Sequence, residues 1–341
     1  SMKFLKSGGD LESSRWCDPY TPLEALGLIK RNLLGPPKVA NSSGFLSKMS
    51  TLNAITPQLK VGFAGDAMMM FGKPLSFDES IKRFYADCDA LVVNMEGVIT
   101  DHPKKGPDQK HGPEIIEQLA TLFDPAKTWL SHANNHAADF GLSELESSIN
   151  RLTHAGFNCF GLSDSVTADI SPNFRVTAGT QWSNRYDEGR LSWLKSVGQE
   201  CIKPGAFNLL LPHYSYEMEI EPRELVKKQV TEWLAKFDAV VGYHSHTPQP
   251  VTDHLSADQS VRQLIAYSLG DLCFGVALKN WPALKHYCYG IALKFEMGPL
   301  ISDPARYAVG SVEWQWVDCD ATREDGKRHF VTRLVEDVPY F

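Results

Sequence analysis

Two histidines that could bind a metal ion or a phosphate, His244 and His246, follow the apolar run from Phe237 to Val241. They are separated by one residue, and on an extended backbone residues two apart point to the same side of the chain. Both imidazoles could therefore reach one ligand. A single His-x-His pair is a weak signal, so its meaning depends on the polar residues that the fold brings beside it.

Four further strand-like runs also end in polar residues that suit metal ions. These runs are Val61 to Asp66, Ala90 to Glu96, Thr128 to His136, and Phe207 to His213. In α/β sheets, ligands bind in the crevice outside the carboxyl ends of the strands. Five such strand ends predict one shared site.

Helical patterns lie between these runs. Ser143 and Glu146 form a capping-box sequence that predicts a helix start, followed by an apolar face of Leu145, Ile149 and Leu152. The second predicted helix runs from Arg223 to Lys236 and would bury Leu225, Val226, Val230, Trp233 and Leu234. Strands that alternate with helices predict a largely parallel sheet.

The C-terminal third has the pattern of an antiparallel sheet. Its aromatic and β-branched runs are separated by Gly, Pro, Asp and Asn, with little helical pattern between them. The runs are Gln263 to Leu269, Tyr287 to Glu296, Tyr307 to Trp316, and His329 to Val335. The whole order predicts an α/β (α+β) fold in which two sheets pack face to face with helices outside.

The composition is typical of a soluble globular protein. A net charge of −7 over 341 residues argues against nucleic acid as the main partner. No apolar run approaches the roughly 18 residues that span a bilayer, and no signal-peptide pattern is present, so no membrane span is predicted. The seven cysteines are scattered without Cys-x-x-Cys pairs, which favours a reducing compartment and a cytoplasmic location.

The strand pattern divides the chain into two parts. Residues 1–58 form an N-terminal extension with one amphipathic helix, predicted from Leu23 to Leu34. Residues 59–341 form a single catalytic domain, since α/β proteins of this length often fold as one unit. The sequence predicts no role for the extension.

Six motifs follow one another between residues 65 and 271. They are Gly65-Asp66, Asn94-x-Glu96-Gly97-x-x-Thr100, Asn134-Asn135-His136-x-x-Asp139-x-Gly141, His213-x-x-x-Glu217, Gly242-x-His244-x-His246 and Tyr267-Ser268-Leu269-Gly270-Asp271. In this order they resemble the bacterial CapA family of capsule and poly-γ-glutamate synthesis proteins, which is similar to the calcineurin-like metallophosphoesterases. The resemblance covers roughly Lys60 to Phe274. It implies a four-layer α/β-β/α sandwich with a complete or degenerate two-metal centre.

The resemblance also implies roles for the motif residues. The implied metal ligands are Asp66 and His246 for the first ion, Glu96 as the bridge, and Asn135, His213 and His244 for the second ion. His136 would be the general acid, Asp139 would orient its ring, and Asn94 and Glu217 would contact the substrate. Carboxylate, amide and imidazole ligands suit one or two ions of Mn²⁺, Fe or Zn²⁺.

One position departs from the superfamily pattern. Metallophosphoesterases of this kind have Asp-x-His at the first strand, whereas Asp66 is followed by Ala67 and Met68. A thioether is a poor ligand for hard divalent ions, so the first site is predicted to be the weaker. CapA-like sequences commonly lack this histidine as well.

Each residue taken alone also has a structural interpretation. Asp66 could cap a helix, and Asn94 and Glu96 could be turn residues. The ordered set favours a site over these separate roles. Of the remaining histidines, His132 is the one predicted to lie nearest the site.

Two functions of different class fit the sequence. One is a metal-dependent hydrolase or transferase acting on a phosphoester or a γ-linked amide, and the retained His136 favours it. The other is an accessory protein that binds an anionic polymer or its synthesis machinery without turnover, and the loss of a histidine at Met68 favours it. The loop from Asp101 to Pro113 could approach an anionic substrate, or could simply be solvated; its basic residues are Lys104, Lys105, Lys110 and His111.

Overall fold

Two mixed β-sheets form the centre of the protein. The computed structural model describes residues 20–37, 44–104, 106–185, 187–324 and 326–338. Its α-helices are α1 Pro22–Leu34, α2 Glu79–Tyr85, α3 Glu114–Ala120, α4 Leu142–His154 and α5 Glu224–Leu234. Its strands are β1 Met49–Thr51, β2 Leu59–Ala67, β3 Leu75–Phe77, β4 Ala90–Met95, β5 Val98–Ile99, β6 Lys110–His111, β7 Thr128–Ser131, β8 Asn158–Phe160, β9 Thr167–Ser171, β10 Phe174–Thr180, β11 Phe207–His213, β12 Ala239–Val241, β13 Val251–Leu255, β14 Arg262–Ala266, β15 Asp271–Cys273, β16 Tyr289–Pro299, β17 Tyr307–Glu324 and β18 Lys327–Val335.

The larger sheet joins a parallel half to an antiparallel half. Its order is β3-β18-β17-β16-β2-β4-β7-β8, with β1 beside β17 and β15 beside β2. Strands β2, β4, β7 and β8 are parallel. The predicted antiparallel pairing of β16, β17 and β18 is confirmed. These strands do not form a sheet of their own, because β16 pairs with β2 and continues the larger sheet.

The smaller sheet has the order β13-β14-β12-β11-β10-β9. Its four central strands, β10, β11, β12 and β14, are parallel, and antiparallel strands lie at both edges. Strand β14 was predicted within the C-terminal antiparallel group, but it pairs in parallel with β12. Both sheets thus contribute carboxyl ends of parallel strands, which is where the polar motifs lie.

The sheets pack through an aromatic and aliphatic core. Phe63 and Phe295 of the larger sheet stack at 5.2 Å, and Phe295 lies 6.4 Å from Phe174 and 6.0 Å from Phe207 of the smaller sheet. Such aromatic pairs contribute about 0.5–1.5 kcal/mol each beyond the burial of their surface. Helices α2, α3 and α4 cover the outer face of the larger sheet, and α5 covers the smaller. The predicted four-layer sandwich is confirmed.

Two details of the helices differ from the sequence predictions. Helix α4 begins at Leu142 after Gly141, which has a φ of 87° and no side-chain cap, so Ser143 and Glu146 do not form a capping box. In α5, Val226, Val230 and Leu234 are buried at intervals of four residues, whereas Leu225 is 68% exposed. Leu225 points away because neighbouring helical residues differ by about 100° around the axis.

The segment before β2 contributes both a helix and a strand. Helix α1 has its N-cap at Thr21, whose hydroxyl accepts a hydrogen bond from the Glu24 amide. Strand β1 pairs with β17. Residues 1–19 and 38–43 lie outside the described residues, and the domain division at residue 59 stays a prediction. In the described parts of the chain, no helix combines the length and the apolar character needed to cross a membrane.

Candidate metal centre

Asp66 lies within β2 and is fully buried, so it does not cap a helix. Its Oδ1 accepts a hydrogen bond of 2.8 Å from Asn94 Nδ2, and its Oδ2 accepts one of 3.0 Å from the backbone amide of His244. The second bond joins the larger sheet to the chain that follows β12 of the smaller sheet. Asp66 is therefore the carboxylate around which the two halves of the predicted site meet.

Glu96 follows β4 and is also fully buried. Neither of its carboxylate oxygens has a hydrogen-bond partner among the described residues. Its Oε1 lies 3.5 Å from His246 Nε2 and 3.8 Å from His136 Nε2. A buried carboxylate without hydrogen-bond partners is unfavourable, and a cation bound to Glu96 would remove that cost.

His213, the last residue of β11, connects the remaining predicted ligands. Its Nε2 lies 2.7 Å from Asn135 Oδ1 and 3.1 Å from His244 Nδ1. Its Nδ1 lies 3.3 Å from Asn94 Nδ2. The structure therefore brings together His213, His244 and Asn135, the three ligands predicted for the second ion.

His244 and His246 reach the centre by a route that differs from the prediction. Strand β12 ends at Val241, and the two histidines have positive φ angles of 89° and 52°. An alternating extended strand is therefore the wrong explanation for their proximity. The backbone turns at both residues bring the ring centroids within 5.5 Å of each other.

His136 and Asp139 form a hydrogen-bonded pair at the edge of the centre. His136 Nδ1 lies 2.6 Å from Asp139 Oδ2, which also accepts a hydrogen bond from the backbone amide of Gln109. Asn184, which sequence reasoning missed, places its Nδ2 3.2 Å from His136 Nδ1 and accepts a hydrogen bond from Asn135. The imidazole of His136 is thus held in a defined orientation.

Glu217 lies on the other side of the centre, with Oε1 3.8 Å from His244 Nε2. Helix α1 and the residue before its N-cap hold this segment in place: the Glu217 amide donates to the Tyr20 hydroxyl, and Arg31 Nε donates to the Glu217 carbonyl. Arg31 also forms an ion pair of 3.2 Å with Glu219. The N-terminal helix therefore helps to position a residue that was predicted to contact the substrate.

Sequence reasoning gave Asp271 no role, although it is part of the last motif. It is the first residue of β15, which follows the smaller sheet in the chain and pairs with β2 of the larger sheet. Its Oδ1 lies 2.9 Å from His246 Nδ1. The signal that could have identified it is a Gly-Asp pair, Gly270-Asp271, that repeats the Gly65-Asp66 pair of β2.

The centre is rich in buried groups with displaced pKa values. Burial raises the pKa of Asp66 to about 7, and the negative charge of Asp271 acts in the same direction. Burial, together with the charges of Asp66 and Asp271, raises the pKa of Glu96 well above its ordinary value. Burial lowers the pKa values of His213 and His244, which disfavours imidazolium. The neutral imidazoles are ready to bind a metal ion, whereas a cation would have to displace the protons that the raised pKa values favour on Asp66 and Glu96.

The donor set fits a divalent metal. Asp66, Glu96 and His213 can each place a donor atom within 4.8 Å of the others. His244 Nε2 and both Glu96 oxygens are buried and lack hydrogen-bond partners in the described chain. A divalent cation would satisfy these atoms and offset the buried negative charge.

Two other predicted features lie outside this ligand set. His132 is buried, no hydrogen bond among the described residues reaches its ring, and burial lowers its pKa to about 4. In the loop after Asp101, His111 is buried and its Nε2 bonds the Glu96 carbonyl, so it is not a solvated cation; Lys105 lies outside the described residues. Beside Asp139 is a cavity of about 280 Å³, also lined by His102, Asp108, Phe140 and Arg185.

Comparisons with known proteins agree with the motifs. Residues 60–182 match the sequence model of the family described as "Bacterial capsule synthesis protein PGA_cap". The resemblance predicted from the ordered motifs is confirmed over this segment. Comparison with functionally curated proteins gave no match.

Two solved structures are similar over most of the chain. A hypothetical protein from Thermus thermophilus has 10% sequence identity and a TM-score of 0.38, over 82% of this chain and 100% of its own. The calcineurin-like phosphoesterase YfkN from Bacillus subtilis has 12% identity and a TM-score of 0.40, over 76% of this chain and 91% of its own. At these scores, the fold assignment rests on the layers and strand order described above.

Proposed function

We propose that this protein is a metal-dependent hydrolase or transferase that cleaves a phosphoester or a γ-linked amide in bacterial capsule or poly-γ-glutamate synthesis. The observation that carries the proposal is the His136–Asp139 pair, hydrogen-bonded at 2.6 Å and placed 3.8 Å from Glu96 of the ligand set. The match of residues 60–182 to a capsule synthesis family supports the biological context.

The metal would be held by side chains from both sheets, and Mn²⁺, Fe and Zn²⁺ all accept such ligands. The proposed ligands are Asp66, Glu96, Asn135, His213, His244 and His246. A metal bound there would lower the pKa of water toward about 7 and would stabilise the negative charge that develops on a phosphoryl or carbonyl oxygen. The protein's part is to fix the ligands at buried strand ends.

His136 would transfer the proton. Its Nδ1–H donates to Asp139 Oδ2, which leaves Nε2 as the nitrogen on the Glu96 side. Attack of water on phosphorus or on the carbonyl carbon would break the bond to the leaving group, whose oxygen or nitrogen would take the proton from Nε2. The proton that the attacking water gives up would restore the protonated ring. The Asp139 carboxylate stabilises the imidazolium before each transfer and keeps the ring oriented.

The substrate would enter beside this pair. Asp139 lines the cavity of about 280 Å³, and Arg185 lies on its wall. Arg185 forms an ion pair of 2.8 Å with Asp108, so its guanidinium is held at the cavity and one third of its side chain stays exposed. A fixed cation near the acid suits a phosphate or a carboxylate of an anionic substrate.

The competing function is an accessory protein that binds an anionic polymer or its synthesis machinery without turnover. Met68 supports it, because its side chain packs in an apolar cluster with Phe274 and Tyr287 and supplies no ligand. An oriented acid has no purpose in such a binder, which is why we favour the enzyme.

Turnover tests decide between the two. The metal-free chain should be reloaded with Mn²⁺ or Zn²⁺ and assayed with phosphomonoesters, phosphodiesters and γ-glutamyl peptides. We expect hydrolysis of one class, lost in His136→Ala and retained in His254→Ala, an exposed histidine on β13. Absence of turnover in every class, with polymer binding retained, would favour the accessory protein.

A further inference from the structure

We infer that Asp271 is a metal ligand and that, with Asp66 and His246, it forms the first of two ion sites that share Asp66. The inference rests on the proposed function in one respect, since both require a metal at this centre. It identifies Asp271 as the oxygen ligand that takes the place of the histidine lacking at position 68, where this chain has methionine.

The backbone places Asp66 and Asp271 side by side. Strand β15 runs parallel to β2, with Asp271 paired to Asp66. The Asp66 amide donates a hydrogen bond of 2.8 Å to the Gly270 carbonyl. A Cβ atom on Gly65 would lie 2.2 Å from that carbonyl oxygen, so glycine is required for this close approach. The carboxylates of Asp66 and Asp271 therefore project from adjacent strands at the same edge of the sheet.

The Asp271 side chain has one oxygen free for a cation. Its Oδ1 contacts His246 Nδ1 at 2.9 Å, while Oδ2 is buried and has no hydrogen-bond partner in the described structure. A carboxylate that only oriented His246 would need one oxygen. A buried unpaired polar group is unfavourable, and a bound cation would remove that cost.

A second group of donor atoms lies beside the group that contains Glu96. Asp66, His246 and Asp271 can each place a donor atom within 4.8 Å of the others, and all three are buried. Asp66 belongs to this set and to the set with Glu96 and His213. Asp66 is therefore common to both groups, and Glu96 lies next to both, with Oε1 3.5 Å from His246 Nε2.

Titration with Zn²⁺ tests the assignment. Calorimetry of the metal-free chain should give two ions for the wild type and for Asp101→Asn, a control at an exposed aspartate. Asp271→Asn should keep the ion near Glu96 and His213 and weaken the other by more than about 100-fold, beyond the usual loss for a group that only orients a ligand. Two ions with unchanged affinities in folded Asp271→Asn would overturn the inference.

A second measurement does not depend on a variant. In wild-type crystals grown with Zn²⁺, anomalous scattering should place one ion about 2.0–2.2 Å from an Asp271 oxygen. Ions bound only by Glu96, His213 and their neighbours would overturn the role of Asp271 and leave the proposed function standing. A wild-type chain that binds no metal in either experiment would overturn both.

Discussion

Asp66 and Asp271 occupy paired positions on the parallel strands β2 and β15, and both side chains are completely buried. Burial raises the pKa of each carboxyl group, because ionisation is unfavourable away from water. His246 contacts both groups, at 3.4 Å and 2.9 Å. In the absence of metal these carboxyl groups therefore tend to hold protons, and a divalent cation would displace the protons and stabilise the ionised form.

Neutralising Asp271 should stabilise the metal-free protein. At pH 8 with a chelator, we expect Asp271→Asn to be more stable than the wild type by about 1 kcal/mol, or roughly 2 °C in melting temperature. The wild type must either bury an ionised carboxylate or take up a proton on Asp271, and the amide requires neither. Saturating metal should then raise the melting temperature less than in the wild type, whose gain is about 2.7 kcal/mol at 100 times Kd. Thermal unfolding measures both effects.

Asp101→Asn is the control for that experiment, since Asp101 is exposed and lies outside the proposed ligand set. Its melting curves should match those of the wild type with and without metal. A lower melting temperature for metal-free Asp271→Asn would mean that the Asp271 carboxylate stabilises the empty site, contrary to the argument from charge.

Gly65→Ala should separate β15 from β2. The added methyl group would collide with the Gly270 carbonyl at 2.2 Å, so the backbone must move apart and carry Asp271 away from Asp66. We expect a loss of stability of more than about 2 kcal/mol and a lower metal content. Gly27→Ala, within helix α1, places its methyl group 3.3 Å from Arg31 Nη1, the far end of a flexible side chain, so we expect a much smaller change in stability. Denaturant unfolding and elemental analysis of the same preparations would show whether the two variants differ.

His244→Ala and His246→Ala should each lower the amount of bound metal. Both rings are buried among the ligand residues, so their removal deletes a donor without exposing the core. His254→Ala is a matched control because that ring is exposed on β13. Unchanged metal content in both buried-histidine variants, measured by elemental analysis, would show that the ligand assignment is wrong.

His136→Ala should abolish turnover and leave the metal bound. Loss of a general acid typically lowers the rate about 10²–10⁴-fold. Asp139→Asn should lower it less, because the His136 ring and its proton-donating nitrogen Nε2 are still present. Asn135→Ala should lower metal occupancy instead, since Asn135 Oδ1 contacts His213. Rate and metal content should be measured together on each preparation. A His136→Ala protein with its full rate would remove His136 from the mechanism.

Much of the centre could be predicted from the sequence because parallel strands share one carboxyl edge. Asp66, Glu96, Asn135 and His213 each lie in or just after an apolar run, and those runs form β2, β4, β7 and β11. A local pattern is sufficient there, since the direction of a parallel strand fixes where its last residue lies.

The remaining features depend on contacts that local patterns do not contain. Asp271 reaches the centre because β15, which follows β14 of the smaller sheet in the chain, pairs with β2 of the larger sheet. In the sequence Asp271 simply follows an apolar run, as many turn residues do. The positive φ angles of His244 and His246 arise from the turns after β12, and they replace the predicted strand. Leu225 was assigned to the buried face from its hydrophobicity, although the register of α5 turns it to solvent.

The hydrogen bond from the His244 amide to Asp66 joins residues that are 178 positions apart in the chain. At a translation rate of about 5–20 residues per second, roughly 10–35 s pass on the ribosome between the synthesis of the two. Until His244 and His246 are made, the Asp66 carboxylate lacks the backbone amide and the imidazole that contact it in the folded protein. The centre can therefore be assembled only after the residues that follow β12 have been synthesised, and any metal would bind after that point.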